Sequence, residues 1–242
     1  MAYFGMAERL ADAGTRLFES FVNVYFPAQT QHFADDKPAE ATVFANRSML
    51  WICFIIGSGI VGFATLREPI IKIFFSSKYV SVADAATMFF AVLLLRSLQT
   101  IMGYFGVAAG QKFLPVKVSL VSSVFNIITC YLLFIRYGYE GAIASLVATQ
   151  FLMNCLYFYW LRRAGYQLSI TPVILILLLT TGATATIFYL SENLILSMMV
   201  FPFFVFACFL VLPELRSDFS LGLNKLSEYR SKRSTMKVNK AH

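Results

Sequence analysis

Arg9, Arg16 and Arg96 are cations set within long apolar stretches of a 242-residue chain. An arginine at the centre of a bilayer costs about 2.5–3.5 kcal/mol on insertion scales, so something must offset each one. A guanidinium grips phosphate oxygens two at a time, which makes these three the first candidates for holding an anionic ligand. Arg9 and Arg16 are seven apart, so they fall nearly on one helix face. The competing structural reading is that Glu8, Asp12 and Glu19 neutralise them in a solvated stripe. Arg96 has Gln99 beyond it, and cavity water, a ligand phosphate, Asp84 or Glu68 are the available counterparts. Glu8, Asp12 and Asp84 are candidate proton or cation sites for ion coupling.

The elements that carry these residues read as membrane spans. The composition is 58% hydrophobic and 14% charged, against about 25% charged in ordinary soluble domains. A bilayer-crossing helix takes about 20 apolar residues. Six stretches meet that need, at 44–66, 82–107, 114–135, 141–161, 171–190 and 194–212, with Pro202 a candidate kink in the last. A seventh, at 3–28, carries five charges and is expected to exit at Pro27. Two readings of it compete: a span whose charged face lines a watery cavity, or an amphipathic helix lying in the interface. The fold class is therefore all-α, a polytopic transmembrane bundle of about seven helices over 1–213, followed by a basic tail at 214–242.

Seven spans place 13 of the 20 Lys and Arg on the side of the C-terminus and four on the other, with three inside spans. That bias expects a cytoplasmic C-terminus and an outside N-terminus. The basic tail after Pro213 reads as a topology signal near anionic membrane lipids, with no motif for nucleic acid beside it. Cys53, Cys130, Cys155 and Cys208 lie in apolar segments and form no CxxC pair, so neither a disulfide framework nor a metal site is expected. No cofactor or enzymatic motif is legible: there is no phosphate-binding loop, nucleophile elbow or catalytic carboxylate pair. Asn126, deep in a span, is expected to bond between helices. Gly57, Gly59 and Gly62 are expected to let helices approach closely.

Four strings together resemble the polysaccharide branch of the multidrug/oligosaccharidyl-lipid/polysaccharide exporter superfamily. The first runs from Tyr3-Phe4-Gly5 to Glu8-Arg9-Leu10, followed by Tyr25-Phe26-Pro27. The second runs from Glu68-Pro69-Ile70 to Lys78-Tyr79, an interhelical element in the family. The third passes from Gly103-Tyr104 through Gly110-Gln111 to Pro115. The fourth joins Asn126 to Gly138-Tyr139-Glu140-Gly141-Ala142. Ser76 stands where the family often has glycine.

The resemblance covers about residues 3–165 and implies a flippase of the bacterial inner membrane. Its substrate would be an O-antigen or exopolysaccharide repeat unit linked to undecaprenyl pyrophosphate, with Arg9, Arg16 and Arg96 facing one cavity. Family members carry two pseudo-symmetric lobes, so the seven helices are expected to be the C-terminal lobe, with the N-terminal lobe missing or separate. The alternatives are a cation-coupled multidrug exporter lobe and an integral-membrane polysaccharide polymerase or glycosyltransferase. The short loops speak against the latter two enzymes.

Overall fold

The computed structural model describes residues 2–74, 83–190 and 194–221; the side chains of 2–13, 17, 74, 84, 85 and 194 lie outside the description. The described residues form helices and no strand. They are α1 (Ala2–Ala34), α2 (Pro38–Phe74), α3 (Ala83–Ala108), α4 (Leu114–Arg163), α5 (Thr171–Tyr189) and α6 (Leu194–Val211), then α7 (Pro213–Leu221). This is the expected all-α bundle, with α2, α3, α4 and α5 each long and apolar enough to cross a membrane. The α6 helix meets that test together with α7, from which it is bent by 93°.

The 50 residues of α4 are two antiparallel arms rather than one rod. Its chain reverses at Gly138, whose φ of 61° and ψ of −136° suit glycine alone. The arms 114–137 and 139–163 then lie side by side. The Asn126 amide donates to Thr149 Oγ1 at 2.8 Å, the interhelical bond expected of it. Near the tip, a Cβ on Gly141 would overlap the Leu133 carbonyl. At the base, Leu114 and Leu161 both press on Gly106 of α3. The sequence reading of two spans, 114–135 and 141–161, therefore describes a hairpin.

The α1 helix packs in the bundle, parallel to α3, instead of lying across its end. Gly14 abuts Leu93 and Phe90, Tyr25 OH donates to the Ile101 carbonyl at 3.4 Å, and the Phe26 and Tyr104 rings are 5.0 Å apart. The expected exit at Pro27 is not taken; the helix continues to Ala34. The proline ring supplies no N–H to the Asn23 carbonyl, and the Thr30 hydroxyl takes up the Pro27 carbonyl at 2.8 Å. A second expectation is also corrected. The string starting at Glu68-Pro69 is helical as far as Phe74, as the end of α2, and 75–79 lie outside the described residues.

The core runs between α1, α2 and α3 and on to α5 and α6, through Tyr25, Cys53, Val61, Ile101, Ile176 and Cys208. Lipid gives little hydrophobic drive between helices, so close approach and internal hydrogen bonds must hold them. Gly57 of α2 provides the approach, since a Cβ there would meet Thr180 Oγ1 at 2.7 Å. Gly62 lies within ordinary contact of Phe201, whereas Gly59 faces open space and has no packing role among the described residues. Gln29, fully buried, donates to Tyr25 Oη at 3.0 Å and to the Ala41 carbonyl at 3.1 Å, tying α1 to α2.

The two ends of the bundle differ in charge. One end gathers Lys37, Arg47, Lys112, Lys117, Arg162, Arg163 and Arg216. It is tied by a Phe33–Phe105–Tyr166 ring cluster and by Asn46 accepting the Ser169 N–H at 2.9 Å. The Trp51 indole donates to Asp218 of α7 at 3.2 Å, and Arg47 stands 3.8 Å from the same carboxylate. The described cations of the other end are Arg67, Lys72 and Arg136. There Glu68 pairs with Lys72 at 3.1 Å, so the carboxylate considered as a counterpart for Arg96 is taken by its own helix.

Candidate functional site: the polar face of the α1–α3 pair

Arg16 and Arg96 are both exposed, on helices that pack in parallel and nearly in register. Arg16 follows Gly14 by two residues, and Arg96 follows Leu93, the side chain that Gly14 touches, by three. At about 100° per residue, the exposed side of α1 carries Arg16, Glu19, Ser20, Asn23 and Gln31. The corresponding side of α3 carries exposed Arg96 and half-buried Thr100, while the Gln99 side-chain oxygen is buried and meets no partner among the described residues. The Phe26–Tyr104 contact forms the seam between them. The two guanidiniums therefore flank one seam on one face of the pair.

No carboxylate lies within 4 Å of either guanidinium among the described residues, and Glu19 is likewise exposed. Arg9, Glu8, Asp12 and Asp84 sit on α1 and α3, but their side chains lie outside the description. The structure thus brings together two of the three expected arginines on a face, not inside an enclosed hollow. The sequence reading missed how far the polar stripe runs. Its signal was present: after Glu8, Asp12 and Arg16, polar residues recur at Glu19, Asn23 and Thr30 with helical spacing.

Among the described residues, the other long exposed surfaces are mainly apolar. The arm 114–137 presents Val116, Leu120, Val124, Ile127, Tyr131 and Ile135, with Ile127 at 70% exposure. The α5 helix presents Ile174 and Leu178, and α6 presents Ile195, Met199, Phe203 and Phe206. These are surfaces that acyl chains can solvate. The face with Arg16 and Arg96 is not.

Behind the pair lies a cavity of about 490 Å³ between α2, α3, the second arm of α4 and α5. Ile60, Leu94, Phe151 and Phe188 make its walls apolar. Thr180 and Thr184 line it with buried hydroxyls that meet no partner among the described residues. Its shape and chemistry suit a hydrocarbon chain more than a sugar.

No family model matches the chain, and no curated protein matches it in sequence. Among solved structures it is similar to a lipid II flippase, MurJ, in an inward closed conformation, with a TM-score of 0.62 and 15% identity. The likeness covers 86% of this chain and 46% of the flippase, so the chain spans about half the length of that protein. What is shared at this identity is the fold, an all-helical bundle that matches about half of that flippase.

Proposed function

We propose that this chain is one lobe of a two-lobe flippase, moving lipid-linked oligosaccharide across the bacterial inner membrane. The cargo in this reading is an O-antigen or exopolysaccharide repeat unit on undecaprenyl pyrophosphate. One observation carries the reading: among the described residues, the long flanks of the bundle are mainly apolar, whereas the α1–α3 flank is polar and holds two exposed arginines between the bundle's ends. Lipid cannot solvate such a face, so water and a second lobe must meet it. An aqueous hollow closed by that lobe gives an anionic head group a cationic path, while the isoprenoid tail stays among apolar walls. The similarity in fold to a lipid II flippase supports the same class of cargo.

In this arrangement Arg16 and Arg96 receive the pyrophosphate, and Arg9 continues the same stripe. Glu8, Asp12 and Asp84 are the carboxylates on these helices suited to couple transport to a proton or cation. The chain carries no chemical step of its own; it orients and releases. The basic end of the bundle, with the tail, faces the cytoplasm. A drug exporter of the same superfamily would want an acidic, aromatic face for cationic cargo, and the guanidinium pair favours an anion instead.

The test is Arg16→Ala with Arg96→Ala in the full-length native protein, reading surface polysaccharide at matched membrane protein levels. Loss of two charge-assisted contacts at about 1.5–3 kcal/mol each should cut it at least tenfold. Normal surface polysaccharide in the double variant overturns the reading.

A further inference from the structure

A second basic site stands apart from the α1–α3 face, at the base of the α4 hairpin. A cavity of about 370 Å³ opens there, lined by Lys112, Phe113, Lys117, Trp160 and Arg163. Lys117 Nζ lies 5.5 Å and the Arg163 guanidinium 5.9 Å from the centre of the Trp160 ring, so one indole draws two cations to one place. Arg162 lies next to it, over the Phe158 ring at 6.0 Å. Among the described residues, none of these four cations has a carboxylate within 4 Å. Like charges gathered without an acid are unfavourable unless an anion joins them.

The surroundings specify which anion. The cavity opens at the N-terminus of α4, where Phe113 precedes the first turn and Pro115 stands near its start. The positive end of the helix dipole adds to the cations. Phe113 lines the cavity yet is 75% exposed. From this point the arm 114–137 continues with exposed Val116, Leu120 and Val124. A ligand here has its charge among lysine and arginine and an apolar track beginning at its edge. That is the chemistry of a phospholipid at the membrane border, where tryptophan also prefers to sit.

We propose that the Lys112–Lys117–Trp160–Arg163 cavity is a binding site for the phosphate head group of an anionic diacyl phospholipid, with an acyl chain lying along Val116, Leu120 and Val124. The site is independent of transported cargo, because it lies at one end of the bundle and away from Arg16 and Arg96. Its occupant braces the base of the hairpin against α3 and fixes its depth in the membrane.

Trp51 and Trp160 are the two tryptophans of the chain, so Trp51→Phe leaves Trp160 as sole reporter. This full chain is placed in vesicles holding equal mole fractions of phosphatidylcholine and phosphatidylglycerol, with bromine carried on the acyl chains of one or the other. Stronger quenching of Trp160 by brominated phosphatidylglycerol is expected. Each cation removed should weaken that preference about fivefold, so Lys117→Gln with Arg163→Gln should bring the two lipids level. Lys117→Arg with Arg163→Lys, which keeps the charge, should retain the preference and shows that a loss is not misfolding. Equal quenching by both lipids in the charge-intact protein overturns the proposal. So does abolition of the preference by millimolar inorganic phosphate at constant ionic strength, which assigns the site to a soluble anion.

Discussion

The α3 helix and the first arm of α4 are both long helices in the same bundle, and they treat exposure in opposite ways. The α3 helix is covered on most sides, by α1, α2 and the second arm of α4, and what remains open carries Arg96 and Thr100. The arm 114–137 is open on most sides and, between Lys117 and Arg136 at its ends, shows mainly aliphatic and aromatic side chains. Each surface reports its solvent. Exposure to acyl chains selects apolar groups, because no water is present to satisfy polar ones. Exposure that retains guanidinium groups selects for water, an anion or another protein surface. The two surfaces thus differ in the medium each one suits.

The comparison breaks most sharply if charge is exchanged between the two faces. Leu132→Arg, on the outer arm, should cost about 2.5–3.5 kcal/mol of membrane insertion, read as a drop in the glycosylation-scored inserted fraction. Arg96→Leu on α3 should leave insertion unchanged or improve it. Equal penalties would mean that both faces meet the same medium. A smaller effect is expected at the hairpin that creates the outer arm. Gly138→Ala forces a β-carbon into a backbone conformation reserved for glycine and should lower stability by about 1–3 kcal/mol, measured by denaturant titration in detergent. An unchanged midpoint would argue against a reversal at that residue. The smallest is Asn126→Leu, which deletes the hydrogen bond to Thr149 between the arms. Interhelical bonds of this kind average about 0.6 kcal/mol, so a slight fall in midpoint with an unchanged slope is expected. A loss of several kcal/mol would give Asn126 a larger role than packing.

Much of this architecture is legible in the sequence, because apolar blocks of bilayer length have few other uses. The break between 135 and 141 marked the reversal of α4, with Gly138 inside it. Asn126 pointed to an interhelical bond, though nothing in sequence names Thr149 as its partner. The first helix was open to two readings since its charges share one side, and a one-sided stripe fits an interface as well as a cavity. Only its packing against Leu93, Ile101 and Tyr104 decides for the bundle. Pro27 misled: it reads as a helix exit, yet α1 runs on to Ala34, since packing in a bundle can hold a helix across the one backbone hydrogen bond that a proline removes. The α7 helix escaped notice because nine residues give no periodic signal. Its place depends on Trp51 and Arg47, 167 and 171 residues away from Asp218 in sequence. Of the three arginines nominated from sequence, Arg16 and Arg96 share a face, which residue type and spacing alone could not establish across two helices.

The central claim is that the α1–α3 face borders water while the outer arm borders lipid. Thiol labelling in membranes tests it directly. Cys53, Cys130, Cys155 and Cys208 are replaced by alanine, and single cysteines are then placed at Asn23, Thr100 and Ile128. A charged, membrane-impermeant methanethiosulfonate should label the cysteines at 23 and 100 in the membrane-embedded protein and leave the one at 128 unmodified. Labelling at 128 that matches or exceeds the other two would contradict the account.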